Sequence, residues 1–449
     1  MTRRPFRLLT PLAATLLMST TAHGQEQDAH SHDHEAHGHD HEAHGHGHDH
    51  DHDHDHDRAG VGLADLRLSA ALTVEGIYHN RVSGDEGSPA GFGHGEDHDE
   101  GHHEGHAGHE DHGHAHGLDE GFNLGHSELM LRGQTSLFEG QAVVSLTEDD
   151  VSLEEAFVAT RALPHDLRIK AGRFLSEIGH VNSRHPHAWD FIERPLVNEY
   201  LFGDHGLRED GVQLTWSPSP HTTLGTEWLQ GDGERLSRFD EGGSEARDSG
   251  PRLVTIFAKQ RTALGDGQTL DYGASAGVSR QYVRLDDHGE HAHSLEGDSW
   301  FAGLDARYHY RSGRHGGQGD WTLGAEYFYT ERDLTERVNH HGDWESGDDF
   351  TEQQDGAYVE AIYGVAPHWE LGVRSEALGL TNETVHAHPS ELESADASYR
   401  HSGQATWRFR DHAFLRAQLS QEDFAGQDES WVAMLQFNAT FGHPAGHAH

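Results

Sequence analysis

The residues most able to do chemistry sit in two histidine tracts. Residues 28–57 hold His30, His32, His34, His37, His39, His41, His44, His46, His48, His50, His52, His54 and His56, interleaved with Asp, Glu, Gly and Ala. Residues 94–116 hold His94, His98, His102, His103, His106, His109, His112, His114 and His116 in a similar setting. Neither tract has the apolar residues to bury a core, so both are expected to be disordered without a ligand. Neutral imidazole is a common ligand for zinc, copper and nickel. A flexible strand of closely spaced imidazoles and carboxylates wraps an ion in many nearly equal ways. The chemistry expected is a set of labile divalent-metal sites, zinc (Zn2+) foremost, rather than one closed tetrahedral site. The plainer readings are a solvated spacer or a pH-responsive brush. Protonation of 46 histidines would nearly cancel the chain's net charge of −45. Composition favours metal, and which metal stays open.

A second set of reactive residues lies between positions 175 and 208. It comprises Glu177, His180, His185, His187, Asp190, Glu193, Arg194, Asp204 and His205, with Glu209 just beyond. Trp189, Phe191, Tyr200 and Phe202 are mixed among them. A plain surface loop does not carry such aromatics, so this segment is expected to pack against something larger. Charged groups at a narrow passage set which ions cross it, which makes these ten candidate constriction residues. Arg168, Lys170, Arg307, Glu326, Arg374, Arg408 and Arg416 are expected to face them from a surrounding wall. A loop that simply seals the interior is the plainer alternative.

Composition limits what can hold these groups. With no Cys there is no disulfide, thiolate zinc site or thiol nucleophile. A net charge of −45 repels phosphate and disfavours nucleic acid as a partner. Residues 1–24 read as an export signal: Arg3, Arg4 and Arg7, an apolar stretch from Leu8 to Met18, then Ala22-His23-Gly24. No later stretch approaches the roughly 18–20 apolar residues of a membrane helix. A membrane β-barrel stays open, because it hides its apolar residues in alternation.

That alternation dominates from Leu63 onward. Trp300, Ala302, Leu304, Ala306, Tyr308 and Tyr310 share one face, against Gly303, Asp305, Arg307 and His309. Trp321, Leu323, Ala325, Tyr327 and Tyr329 repeat the pattern, as do Trp431, Ala433, Leu435, Phe437, Ala439 and Phe441. Aromatics at the ends of a face and small aliphatics in its middle are the order of a lipid-facing strand. About sixteen strands are expected, from 63–81 to 429–441. Short turns include 138–141, 163–165, 217–220, 366–368 and 410–412. Long loops are expected near 82–120, 175–208, 231–251, 286–298, 333–354 and 381–395. Short turns alternating with long loops, and an even strand number, describe an all-β transmembrane antiparallel barrel. The organisation expected is a signal peptide over 1–24 and a His/Asp-rich segment over 25–60. The barrel follows over 61–441, with 94–116 as an external loop and 175–208 as the constriction loop, then a tail over 442–449. The first tract would then lie in the periplasm.

The stretch Gly172-Arg173-Phe174, Gly179, Asn182, His185-Pro186-His187, Trp189-Asp190-Phe191, Pro195-Leu196, Phe202-Gly203 and Asp210-Gly211-Val212 resembles a family of bacterial outer-membrane proteins described as zinc-regulated or porin-like. It is more distantly similar to phosphate-selective porins, through its Gly-Arg-Phe approach to the third loop. The motif covers about forty residues, and the rest of the chain matches in pattern alone. The resemblance implies an outer-membrane barrel tied to zinc supply or tolerance, whose third loop folds inward. By analogy with porins of this size, which are often trimers, a homotrimer is one expected assembly, and the oligomeric state stays open. Phosphate selectivity is not carried over, because it needs a basic lining and this chain is acidic. Energised receptors of the outer membrane have twenty-two strands and a plugged lumen, and too few residues precede the first strand here for such a plug.

The function expected is passive transport of metal ions or small solutes across the outer membrane, with an acidic field favouring cations. The alternative is a metal-buffering surface protein anchored by a closed barrel. Outer-membrane lipid and divalent metal are the expected partners. Enzyme activity is not expected, since Ser176 and Ser183 lie near histidines but in no nucleophile motif.

Overall fold

The computed structural model describes residues 65–85, 87–92, 118–147, 151–244, 250–287, 291–340, 343–387 and 391–442. The expected export signal at 1–24, both histidine tracts and residues 443–449 lie outside the described residues. Eighteen antiparallel segments make one sheet. They are β1 (Arg67–Ser83), β2 (Gly121–Leu124), β3 (Ser127–Gln134), β4 (Phe138–Leu146), β5 (Val151–Thr160) and β6 (Leu167–Leu175). After the short helix α1 (Leu196–Phe202) come β7 (Arg208–Ser219), β8 (Thr222–Leu229), β9 (Leu253–Gly265), β10 (Gln268–Asp287), β11 (His291–Tyr310) and β12 (Trp321–His340). The last are β13 (Asp343–Ala366), β14 (Trp369–His386), β15 (Glu391–Ser394), β16 (Ser398–Arg410), β17 (Ala413–Asp423) and β18 (Ser430–Gly442). Segments β2 and β3 both pair with β1, and β15 and β16 both pair with β14. Each couple is one interrupted strand, so the barrel has sixteen. It closes where β1 pairs with β18, from Ala71 opposite Gly442 to Ser83 opposite Trp431.

The interruption between β2 and β3 is capped locally by side chains. Glu75 lies inside the wall beside it and accepts the His126 amide at 2.9 Å, while the Glu75 amide donates to Ser127 Oγ at 3.0 Å. A buried carboxylate thus takes up polar groups that the broken ladder leaves free.

The period-2 pattern maps onto the two sides of the wall. On β11, Trp300, Ala302, Leu304 and Ala306 are exposed on the outside, and Phe301, Gly303 and Arg307 are buried inside. Leu323, Leu371, Val373, Leu435 and Phe437 are likewise exposed. Aromatics gather in two bands. Trp321 meets Tyr363 at 4.5 Å and Trp369 stacks on Trp407 at 5.8 Å near the short turns. Trp300 meets Tyr329 at 5.3 Å and Tyr78 meets Phe122 at 5.0 Å toward the other end. An apolar belt between aromatic girdles is the outer surface of a transmembrane barrel.

Two expectations about the connections are corrected. Phe138 to Gln141 is the start of β4, and the turn lies earlier, where the Thr135 and Leu137 backbones close onto Phe138 and Arg161. The long loops at 286–298, 333–354 and 381–395 are largely strand. β10 and β11 stay paired to Asp287 opposite Ala292, β12 and β13 to His340 opposite Asp343, and β14 meets β15 at His386 opposite Glu391. The outer face of these halves carries polar residues such as Asp333 and Thr335, so no apolar alternation marks them, although Tyr282, Val283 and Leu334 are buried. Polar cross-strand pairs hold them instead, such as Thr335 to Asp349 at 2.6 Å and Thr351 to Asp333 at 2.7 Å.

Candidate functional site

The 175–208 loop leaves β6 and returns on β7. Gly172 marks the approach. Its φ is +128, and a Cβ there would lie 2.1 Å from the Ala156 carbonyl on β5, so only glycine fits. Asn182 ties the neck shut. Its amide donates to the Ser176 and Leu207 carbonyls at 2.8 and 3.0 Å, and its carbonyl accepts the Leu207 amide at 2.8 Å. The loop then turns into the lumen. Every residue from Phe191 to Gly203 is buried. Phe202 packs edge-on against Phe328 and Phe301 of the wall at 4.9 and 5.3 Å. Ile178, Leu196, Val197, Tyr200 and Leu201 join Tyr358 and Leu378 in the same cluster.

Polar anchors fix the loop to the wall. Arg307 bonds Asp190 and, at 2.7 Å, Glu360. Arg374 donates to the Glu193 carbonyl at 3.0 Å, and Arg400 to the Glu193 carboxylate at 3.2 Å. Gln418 reaches the same carboxylate at 2.6 Å, and Arg416 reaches the Trp189 carbonyl at 3.1 Å. Glu376 accepts the Leu196 amide at 2.7 Å. Glu326 accepts the His180 and Val181 amides and Asn198 Nδ2. Arg194 lies over the Trp189 ring at 4.6 Å. Burial lowers its guanidinium to about 10.

On the side toward the short turns, the loop roofs a chamber of about 710 Å³. Glu177, His180, His185 and His187 line it, with Glu128 and Lys259 from the wall. Glu177 pairs with Lys259 at 3.0 Å and Lys170 at 3.8 Å. Burial would raise its carboxyl, but the two lysines hold it at about 2. His185 sits between two wall carboxylates, Glu128 at 3.4 Å and Glu155 at 3.1 Å. Burial would depress this imidazole, but the carboxylates outweigh it and raise it well above its ordinary range. His187 meets Glu128 at 3.1 Å. His180 is the opposite case: burial, then Arg307, Arg184 and Lys259, push it well below. Its Nε2 is buried without a hydrogen-bond partner.

The ten candidate loop residues thus fall into three groups. Glu177, His180, His185 and His187 line the chamber. Asp190, Glu193 and Arg194 are held against the wall. Asp204, His205 and Glu209 stand apart at the outer end: the Asp204 amide donates to Glu234 at 2.9 Å, and Glu209 accepts from Gly231 and Ser237. Of the wall residues, Lys170, Arg307, Glu326, Arg374 and Arg416 meet the loop, while Arg168 and Arg408 pair with Glu139 and Glu370. Sequence reading missed Glu128, Glu155 and Arg400, and it named Asn182 only within the motif of the family resemblance. For Glu128 and Arg400 a signal was present, since each occupies the inward parity of a strand whose neighbours Leu129 and Tyr399 face out. Among the described residues, no group of three or more His, Asp or Glu side chains is assembled to hold a metal ion. The histidine tracts lie outside those residues.

Fold and loop together define a closed sixteen-strand transmembrane barrel with its third loop folded inward. The chain shares this fold with DcaP, an outer membrane channel of Acinetobacter baumannii, at a TM-score of 0.51 and 11% identity over 84% of this chain and 98% of that one. It shares it also with a loop L8 deletion mutant of OmpT, an outer membrane protein of Vibrio cholerae, at 0.50 and 9% over 84% of this chain and all of that one. No protein-family model matches the chain. In sequence it is similar to an uncharacterized protein of Aquifex aeolicus (strain VF5), 32% identical over 308 residues. That match covers 66% of this chain and spans 62% of the relative's length.

Proposed function

We propose that this protein is a porin-like channel of the bacterial outer membrane. It passes metal ions or small solutes passively, and its histidine-rich segments bind divalent metal, zinc foremost. The observation that carries the reading is the loop at 175–208, which crosses the lumen and places charged groups above a solvent-sized chamber. A channel needs a constriction on a rigid frame, and the arginine anchors of β11, β14, β16 and β17 supply that frame. The apolar belt supports lipid as the surroundings. A closed barrel that displays metal-binding tracts is the second reading, favoured by the unbroken burial of Phe191 to Gly203.

Single-channel conductance of the refolded chain in a planar bilayer, with zinc titrated in, separates them. Steady open steps that zinc blocks or re-selects, and that lose this response when 94–116 is deleted, are the expected result. A folded barrel that never conducts would leave the anchored metal buffer in its place.

A further inference from the structure

Seven short turns join strands at the end of the barrel beneath the chamber, and five of them carry an exposed histidine: His165, His221, His315, His368 and His412. Two of these belong to neighbouring turns that are locked together. The His368 amide donates to the Gly316 carbonyl at 2.7 Å. Gly316 has φ +62, and a Cβ there would lie 2.9 Å from the His368 nitrogen. The missing side chain lets the two turns touch, and contact sets the rings of His315 and His368 5.3 Å apart, edge to face. Two imidazoles on one tetrahedral zinc, with Zn–N bonds near 2.0 Å, have ring centres about 5 Å apart. The 5.3 Å ring separation matches that spacing, and rotation about the side-chain bonds of these two exposed residues would turn one nitrogen of each toward a shared ion. His221 and His412 stand at the chamber, which they line together with His180, His185 and His187.

We propose that this turn rim is a divalent-metal surface separate from the two histidine tracts. His315 and His368 form its two-imidazole site, and His221 and His412 are single-imidazole stations at the chamber mouth. The proposal rests on the channel reading above and adds a place where its cargo is held. No third His, Asp or Glu among the described residues joins the pair, so water fills the remaining positions of the ion. Arg311 and Arg314 share the turn and oppose a cation. Both features make the site weak and fast to exchange, which suits transfer rather than storage.

The test is carbethoxylation of the full refolded chain by diethyl pyrocarbonate, read peptide by peptide by mass spectrometry, with and without zinc. At zinc ten times the site's dissociation constant, mass action gives about tenfold slower modification of His315 and His368. His368→Asn should erase that protection at His315. Asparagine tolerates the left-handed backbone of position 368, and heat-modifiable migration on a gel checks that the variant folds. Unchanged rates at His315 and His368 alongside protected tract histidines would overturn the rim and leave the tract reading standing. Protection of the rim alone would do the reverse. Protection at His315 that survives His368→Asn would overturn the pair.

Discussion

Asn182 shows how one side chain can decide a loop's path. It is fully buried and satisfies three backbone groups across the neck of the 175–208 segment. Alanine there leaves those groups without partners, at about 1–3 kcal/mol for a buried unsatisfied group. The expected outcome for Asn182→Ala is a folded barrel whose loop is cut by added protease at least as fast as its outer hairpins, while wild type is cut there last. His185 carries a pH signature. Its folded pKa lies above the unfolded value of about 6.5, held there by Glu128 and Glu155 against the effect of burial. Such a group adds stability that is full below the unfolded value and fades as pH rises through the folded one. The midpoint of heat-modifiable migration should therefore fall as pH is raised through that range. His185→Gln should remove this step, and a variant that keeps it would assign the step elsewhere.

At the scale of elements, the loop and its wall form one unit. Arg400 is buried and binds Glu376, the Glu193 carboxylate and the Arg194 carbonyl at once. Removing one partner of a buried ion network costs about 3–5 kcal/mol, because the remaining charges stay buried. Arg400→Ala should free the loop tip and raise single-channel conductance or open-state noise, and an unchanged trace would mean that the tip does not bound the pore. The strands that hold these groups were legible in the sequence wherever one face meets lipid. Trp300, Leu304, Leu323 and Leu435 announced their strands because the other face is mostly polar or small there, as at Gly303, Arg307, Thr322, Gly324, Gln436 and Asn438. The outer halves of β10 to β15 were not legible, since polar residues such as Asp333, Thr335, Glu336 and Arg337 look alike in a loop and in a hairpin. The inward loop was marked by its aromatics. Of its wall contacts, Lys170, Arg307, Glu326, Arg374 and Arg416 were expected from the sequence, while Glu128, Arg400 and Gln418, which meet it only through strand register, were not.

For the whole molecule, the outer belt makes a simple demand. Leu304 lies on β11 midway between Trp300 and Tyr308 and is 62% exposed. A cation at the bilayer midplane costs about 2–4 kcal/mol. Leu304→Arg should lower folding stability by that order in lipid vesicles and by much less in detergent micelles. Equal losses in both would argue that this surface does not face lipid.

The seam between the first and last strands bears on how the barrel comes to exist. Thr73 and Thr440 share a hydrogen bond at 3.0 Å, 367 positions apart in the chain. Until β18 arrives, β1 offers an unpaired edge, and an unpaired edge invites other chains. Contacts this remote also form slowly, since the intervening chain must be gathered first. Biogenesis is therefore a race between closure and clumping, and its finish line is the final strand. A truncation that stops before Ser430 leaves a ribbon with two open sides, destined for degradation rather than a smaller pore.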